Sequence, residues 1–212
     1  MSDAAVVYVH GLWMTGVESV LLRRRLQREY GYRVHAFHYP SVHASMAVHT
    51  ASLHRALSLI DAPRLHLVGH SLGGLVILRY LERFAIPRPG RVVFIGTPAT
   101  GSRCALHLGR WRFGRRMLGP VIGQELLVPR QRSWGCDREL GVIAGTSPRG
   151  LGNLLVKFSE DNDGVVAVSE TRLPGAKEFL NVPASHSGML LSARVARETG
   201  NFLEHGSFSR KI

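Results

Sequence analysis

The chain has 212 residues, 45% of them hydrophobic and 20% charged, the balance of a folded domain, which excludes disordered, collagen-like and coiled-coil readings. That length buries a sizeable core as one domain without disulfides or metal staples. Its 27 basic against 15 acidic side chains give a net charge of +12, carried by 24 arginines and three lysines; an anionic membrane face or nucleic acid is the partner such a charge suggests, against the plainer reading of a compositional bias toward arginine.

No stretch reaches the eighteen or so uninterrupted apolar residues of a bilayer-spanning helix. The first residues show neither a basic leader segment nor a small-residue cleavage site, so a cytoplasmic location is expected. In that reducing setting Cys104 and Cys136 are expected as free thiols. They stand 32 positions apart, without metal-ligand spacing, and no metal is expected.

Short apolar runs alternate with stretches of helical period, the pattern of βαβ units around a mostly parallel sheet. Ala5 to Val9 reads as a buried strand. An amphipathic helix follows, with Val17, Val20, Leu21, Leu22 and Leu26 inward, Arg23, Arg24, Arg25 and Arg28 outward, and Gly31 as its end. Strand Tyr32 to Phe37, helix Met46 to Ile60, strand Arg64 to Val68 and helix Leu72 to Ala85 come next. Further strands are expected at Val92 to Ile95, Leu140 to Ala144 and Phe179 to Val182, and a last helix at Met189 to Leu203. About six strands result, in one α/β domain over residues 1–212. The segment from Gly101 to about Asp137 breaks the alternation, being too long for a plain loop. Its interleaved apolar and arginine residues predict one or two short amphipathic helices laid over the carboxyl edge of the sheet as a lid.

Chemistry is concentrated after the strand Leu65-His66-Leu67-Val68, where Gly69-His70-Ser71-Leu72-Gly73-Gly74 runs straight into an apolar helix. A G-x-S-x-G motif at a strand-turn-helix junction holds its serine on a strained backbone with the hydroxyl exposed, so Ser71 is the expected nucleophile. His10-Gly11-Leu12 directly follows the first strand, placing the Leu12 amide to join that of Leu72 as the two donors of an oxyanion hole. In this architecture the acid and then the histidine follow the nucleophile along the chain. Beyond residue 160 the histidines are His186 and His205; His205 closes the last helix, so His186, in the loop before that helix, is the expected base. The remaining histidines, among them His35, His38, His43, His49 and His54, read as surface or partly buried. In Glu160-Asp161-Asn162-Asp163-Gly164, Asp163 is the expected acid and Asp161 the reserve; an Asx-type turn, or a cation site built from Asp161 and Asp163, stays open for this stretch.

With His10-Gly11, Gly69 to Gly74, Gly96-Thr97-Pro98, Asn162-Asp163-Gly164-Val165-Val166 and Ser185-His186-Ser187-Gly188-Met189, the chain resembles the α/β-hydrolase superfamily, in its group of small bacterial lipases and GPI inositol-deacylase-like hydrolases. The resemblance implies an α/β-hydrolase fold, a lid region introduced by Gly-Thr-Pro, a triad acid from the Asp-Gly-x-Val stretch, and cofactor-free hydrolysis of carboxylic esters. An acyltransferase or thioesterase with the same triad, and a non-catalytic binding protein on the same fold, are the alternatives. Trp13, His70 and Trp111 are expected at the substrate, and Trp13, Trp111 and Trp134 together suggest an apolar acyl pocket. Arg110, Arg112, Arg115 and Arg116 suggest weak peripheral contact with anionic membrane; nucleic acid is not expected, since charge is its only support.

Overall fold

In the computed structural model, which describes residues 3–127, 131–150 and 152–209, the apolar runs become a fully parallel sheet. Its strands are β1 (Ala4–Val9), β2 (Arg33–Phe37), β3 (Arg64–His70), β4 (Val92–Ile95), β5 (Leu140–Gly145) and β6 (Glu178–Val182), in the order β2-β1-β3-β4-β5-β6. The four inner strands are covered on both faces, which is why they read as unbroken apolar runs, while edge strands β2 and β6 alternate between exposed and covered positions. Register brings Val9 beside Gly69 and His70 beside Ile95. The carboxyl ends of β1, β3 and β4 therefore meet at one place.

Side chains of period two divide between two apolar layers. Val7, Val9, Leu65 and Leu67 face α2 (Met46–Ser58) and α3 (Leu72–Arg83). Val6, Tyr8 and Val68 face α1 (Val20–Tyr30) and the last helix, which the structure divides into α8 (Gly188–Leu191) and α9 (Ala193–His205). The break from the single predicted helix falls at Ser192, whose extended backbone (ψ 124°) lets its hydroxyl accept from the Val195 amide and start a new helix. The first helix also departs from its predicted face. Leu22 and Leu26 are buried, but Val17 lies in a short 3₁₀ turn and is 69% exposed, and Leu21 points partly to solvent. Gly31 ends that helix in the left-handed conformation, as its position predicts.

The long segment after β4 folds as α4 (Arg103–Leu108) and α5 (Arg112–Glu125), the latter kinked where Gly119 (φ 73°, ψ 174°) precedes Pro120. A partly ionic knot holds it to the body. Arg132 donates to the Ala99 carbonyl at 3.1 Å and to the Glu125 carboxylate at 3.0 Å, and Arg79 of α3 donates to that same carboxylate at 2.9 Å. Two short helices, α6 (Gly152–Leu155) and α7 (Val168–Thr171), complete the described elements. Cys104 and Cys136 are both free thiols. No helix among the described residues is long and apolar enough to cross a membrane.

His49 is fully covered, between α2 and Tyr39, where the sequence suggests a surface or partly buried residue; a helix carrying Met46, Leu53 and Leu57 on its inner face carries residue 49 there too. Burial pushes its imidazole down to about 4 and that of His66 to about 3. In the unfolded chain both take a proton near pH 6.5. Their contribution to stability is therefore whole above about pH 6.5 and is lost as pH falls toward the folded values, because the unfolded state binds protons that the folded state refuses. At about pH 5 each costs about 2 kcal/mol, so the calorimetric melting temperature should fall by roughly 10 °C between about pH 7.5 and about pH 5. A level melting temperature over that range contradicts the account.

Candidate active site

The turn from β3 to α3 places Ser71 at φ 54°, ψ −123°, a region non-glycine residues avoid. Its amide donates to the Ile95 carbonyl at 3.0 Å, so β4 fixes the turn from one side. From the other side the carboxyl end of β1 presses against it. A Cβ on Gly73 would stand 2.0 Å from the Val9 carbonyl oxygen, so only glycine permits this approach. Held in this way, the Ser71 side chain reaches a cavity of about 430 Å³ beneath α4 and α5.

The loop after β1 is built by hydrogen bonds rather than by packing alone. His10 donates from Nδ1 to the Gly11 carbonyl at 2.8 Å, stacks on Tyr39 with centroids 4.3 Å apart, and its carbonyl accepts the Tyr39 hydroxyl at 2.8 Å. Trp13, at φ 58°, donates its amide to the Ser41 hydroxyl at 3.1 Å. The Leu12 amide between these anchors has no acceptor among the described residues. Leu72 opens α3, and the first amides of a helix have no partner within it. Leu12, Leu72 and Ser71 all line the cavity.

His186 and Asp163 come from the loops after β6 and β5, and the structure brings them together. His186 Nδ1 lies 2.6 Å from Asp163 Oδ2, and the His186 amide donates to the Asp163 carbonyl at 2.8 Å. The other carboxylate oxygen accepts from the Val165 and Val166 amides at 2.9 and 2.7 Å. Both side chains are buried, and His186 lines the same cavity as Ser71. Gly96 (φ 57°) makes room for the pair, since a Cβ there would stand 3.2 Å from both Asp163 Oδ2 and His186 Nδ1. Asp161 is exposed, gives its backbone carbonyl to the Val168 amide, and takes no part in the pair. The Asx turn expected in this stretch is present twice over: Asn162 Oδ1 accepts the Gly164 amide at 3.0 Å, and Asp163 Oδ1 accepts the amide of Val165 two residues on. Among the described residues no group of three metal-ligating side chains occurs.

The three residues expected at the substrate separate. Trp13 lines the cavity, and its indole donates to the Met117 carbonyl at 3.0 Å, tying the loop after β1 to the covering helix α5. His70 is wholly buried behind the cavity: its Nε2 donates to the His186 carbonyl at 3.1 Å and its ring packs 4.8 Å from that of His186. Burial, with the His186 ring beside it, holds the His70 imidazole well below its ordinary value, and the ring is not part of the cavity lining. Trp111 is 67% exposed and turned away from the cavity. It precedes α5, whose buried stripe is Leu118, Val121 and Ile122. Trp134 is no pocket wall either, since it packs edge-on against Phe94 of β4 at 5.7 Å and donates to the Arg138 carbonyl at 2.6 Å.

The cavity wall is mainly apolar, with Leu108, Leu118, Ile122 and Leu126 from the covering helices and Cys104 among them, the Cys104 thiol pushed up to about 12 by burial. Arg149, exposed after β5, is the one arginine on its rim among the described residues. Nothing in the sequence around Pro148-Arg149-Gly150 marks it as such. Glu170 also escapes a sequence reading: buried in α7, it accepts from the Ala167 amide at 2.9 Å and the Arg103 amide at 2.6 Å, joining the Asp163 loop to the start of α4. Burial raises its carboxyl above the ordinary value.

A family model described as an alpha/beta hydrolase family matches residues 6–198. No curated protein matches the chain. Among solved structures, a Bacillus licheniformis lipase in its propeptide form superposes with a TM-score of 0.74 at 18% identity, over 98% of this chain and 52% of that one. The chain thus spans about half the length of that lipase. A carboxyl esterase of metagenomic origin gives 0.66 at 21% identity, covering 88% of this chain and 65% of its own. A gene product of Listeria innocua gives 0.63 at 16% identity, with 99% and 97% covered. At such identities the likeness is one of fold.

Proposed function

Because the chain belongs to the alpha/beta hydrolase family, we propose that it is a serine hydrolase of carboxylic esters, with Ser71 as nucleophile, His186 as base and then acid, and Asp163 as the orienting acid. The observation that carries this reading is the buried His186–Asp163 contact of 2.6 Å on the wall of the cavity that Ser71 enters. With Nδ1 held by the carboxylate, Nε2 is the ring nitrogen free to take a proton. Ser71 Oγ attacks the ester carbonyl carbon while its proton passes to Nε2, and the carbonyl oxygen, now an alkoxide, is met by the Leu12 and Leu72 amides. Collapse breaks the ester C–O bond, and the imidazolium gives its proton to the departing alkoxide. Water then repeats the sequence on the acyl-serine, releasing the acid and restoring Ser71.

The largely apolar cavity of about 430 Å³ supports an acyl chain as its occupant. A p-nitrophenyl ester series should give a kcat/KM that rises with chain length from acetate, by about fourfold per methylene at first, and then falls once the cavity is full. A rate independent of chain length argues against this occupant. The reading itself is tested by a fluorophosphonate probe and peptide mass spectrometry: one label per chain, on Ser71, supports it, and a folded protein that takes no label overturns it. A product that depends on added alcohol would assign acyl transfer in place of hydrolysis.

The outer face of α5 supports a peripheral lipid contact. Trp111, Phe113 and Met117 are exposed there beside Arg110, Arg112, Arg115 and Arg116, the pairing of apolar and basic side chains that lies on anionic bilayers. Sedimentation with phosphatidylglycerol vesicles, weakened by salt, is the expected result; binding indifferent to lipid charge dismisses it.

A further inference from the structure

At the other end of the sheet, where the strands begin, a second cavity of about 450 Å³ is lined by four arginines, Arg64, Arg88, Arg91 and Arg138, and by two carboxylates, Asp137 and Glu139. Arg64 and Ser71 bracket β3, so the two cavities stand roughly 20 Å apart. The charges of this second cavity do not cancel. Glu139 is shared between Arg91, at 2.5 Å, and Lys177. Among the described residues, Arg88 and Arg138 give hydrogen bonds only to carbonyls: Arg88 to Leu57 at 2.8 Å and to Ile60, Arg138 to Leu65 at 2.7 Å and to Arg88. Among the described residues, neither of these two, nor exposed Arg64, meets a carboxylate.

Carbonyls orient a guanidinium without neutralising it. Arg88 and Arg138 are each half-buried, lie side by side, and spend two of five N–H donors on the backbone. Like charges crowded in partial burial are costly unless an anion joins them. Burial, then the charge of Arg88, pull the Arg138 guanidinium below its ordinary value. The backbone bonds also hold both forks in place before any ligand arrives, which limits the ordering cost of binding. His66, buried at the cavity floor, accepts the Arg91 amide on Nδ1 at 3.0 Å and so carries its proton on Nε2 as one more donor.

We infer that this cavity binds a phosphate group, presented by a small soluble phosphate compound, through the spare guanidinium donors of Arg88 and Arg138 with Arg64 closing over it. Several fixed forks around one site suit a tetrahedral dianion, which offers more acceptor oxygens than a carboxylate. A headgroup in a bilayer is the other source of the same chemistry, but the clustered exposed side chains Trp111, Phe113 and Met117 lie at the other end of the molecule, while Leu59 is the strongly exposed apolar residue beside the Arg88 contacts.

The test is calorimetric titration of the whole chain with inorganic phosphate and with pyrophosphate, at constant ionic strength. Saturable binding of one anion per chain is expected. Arg64→Glu, at an exposed side chain with no partner among the described residues, should weaken it about tenfold or more without changing the melting temperature. Arg112→Glu makes the same change of charge on the lid and should leave it within about twofold. Equal weakening by both variants means that net charge alone attracts the anion, and overturns the site. No heat of binding, or binding insensitive to Arg64→Glu, overturns it as well. Vesicle sedimentation separates the sources: phosphatidylglycerol binding that falls with Arg64→Glu, in the absence of free phosphate binding, would assign the cavity to lipid and sink the soluble-ligand proposal.

Discussion

Alanine at Ser71 should lower ester turnover by about 10⁵-fold or more, leaving the residual rate that an oxyanion hole and substrate binding sustain without a nucleophile. The loss should fall on kcat, because the cavity walls that hold an acyl chain are untouched. Stability should change little. The Ser71 hydroxyl has no hydrogen-bond partner among the described residues, and alanine suffers the same backbone strain at φ 54°. Covalent labelling by a fluorophosphonate should vanish in parallel. A variant keeping more than about a tenth of the wild-type rate, with a normal melting temperature, would place the nucleophile elsewhere.

Asparagine at Asp163 should cost about 10⁴-fold in kcat through the tautomer of His186 rather than through the fold. The Asp163 Oδ1 position accepts two backbone amides, from Val165 and Val166, so an asparagine places its carbonyl oxygen there. Its NH₂ then faces His186 Nδ1, where Oδ2 stands now. Two donors cannot meet, and the imidazole moves its proton to Nε2, the nitrogen that must accept from the serine. KM should stay within a few-fold of wild type. Asp163→Ala should lose activity and also stability, by about 2 to 4 kcal/mol for two orphaned amides. An Asp163→Asn enzyme within tenfold of wild type, alongside a crippled Asp161→Asn, would transfer the orienting role to Asp161.

The inner strands and the Ser71 turn were legible because their signals are local: continuous apolar runs for a sheet covered on both faces, and a fixed residue pattern for a strained turn. Leu21 and Val17 were misleading because helical periodicity reports apolar residues, not which of two adjacent ones finds a neighbour; Leu22 and Leu26 take the inner stripe. His70 sits within the motif, yet its role depends on a carbonyl 116 residues later, which no local pattern encodes. The three tryptophans show the same limit. Position along the chain puts Trp13 in the loop after β1 and the other two in the inserted segment, but Trp13 reaches the cavity, Trp134 enters the sheet's apolar layer and Trp111 faces solvent. Burial of His49 was readable from its helical phase with Met46, Leu53 and Leu57.

The close approach of Gly73 to the Val9 carbonyl makes Ser71 dependent on a strand some sixty residues earlier in the chain. Half of the turn's support is absent until β1 and β3 align along Ala4 to Val9 and Arg64 to Gly69. Parallel pairings of this separation form late, since loop closure opposes them before contacts reward them. Probe reactivity at Ser71 is therefore a clock for refolding: it starts when the centre of the sheet is assembled, and a chain with helices formed but β1 undocked has every residue of the turn and stays chemically silent.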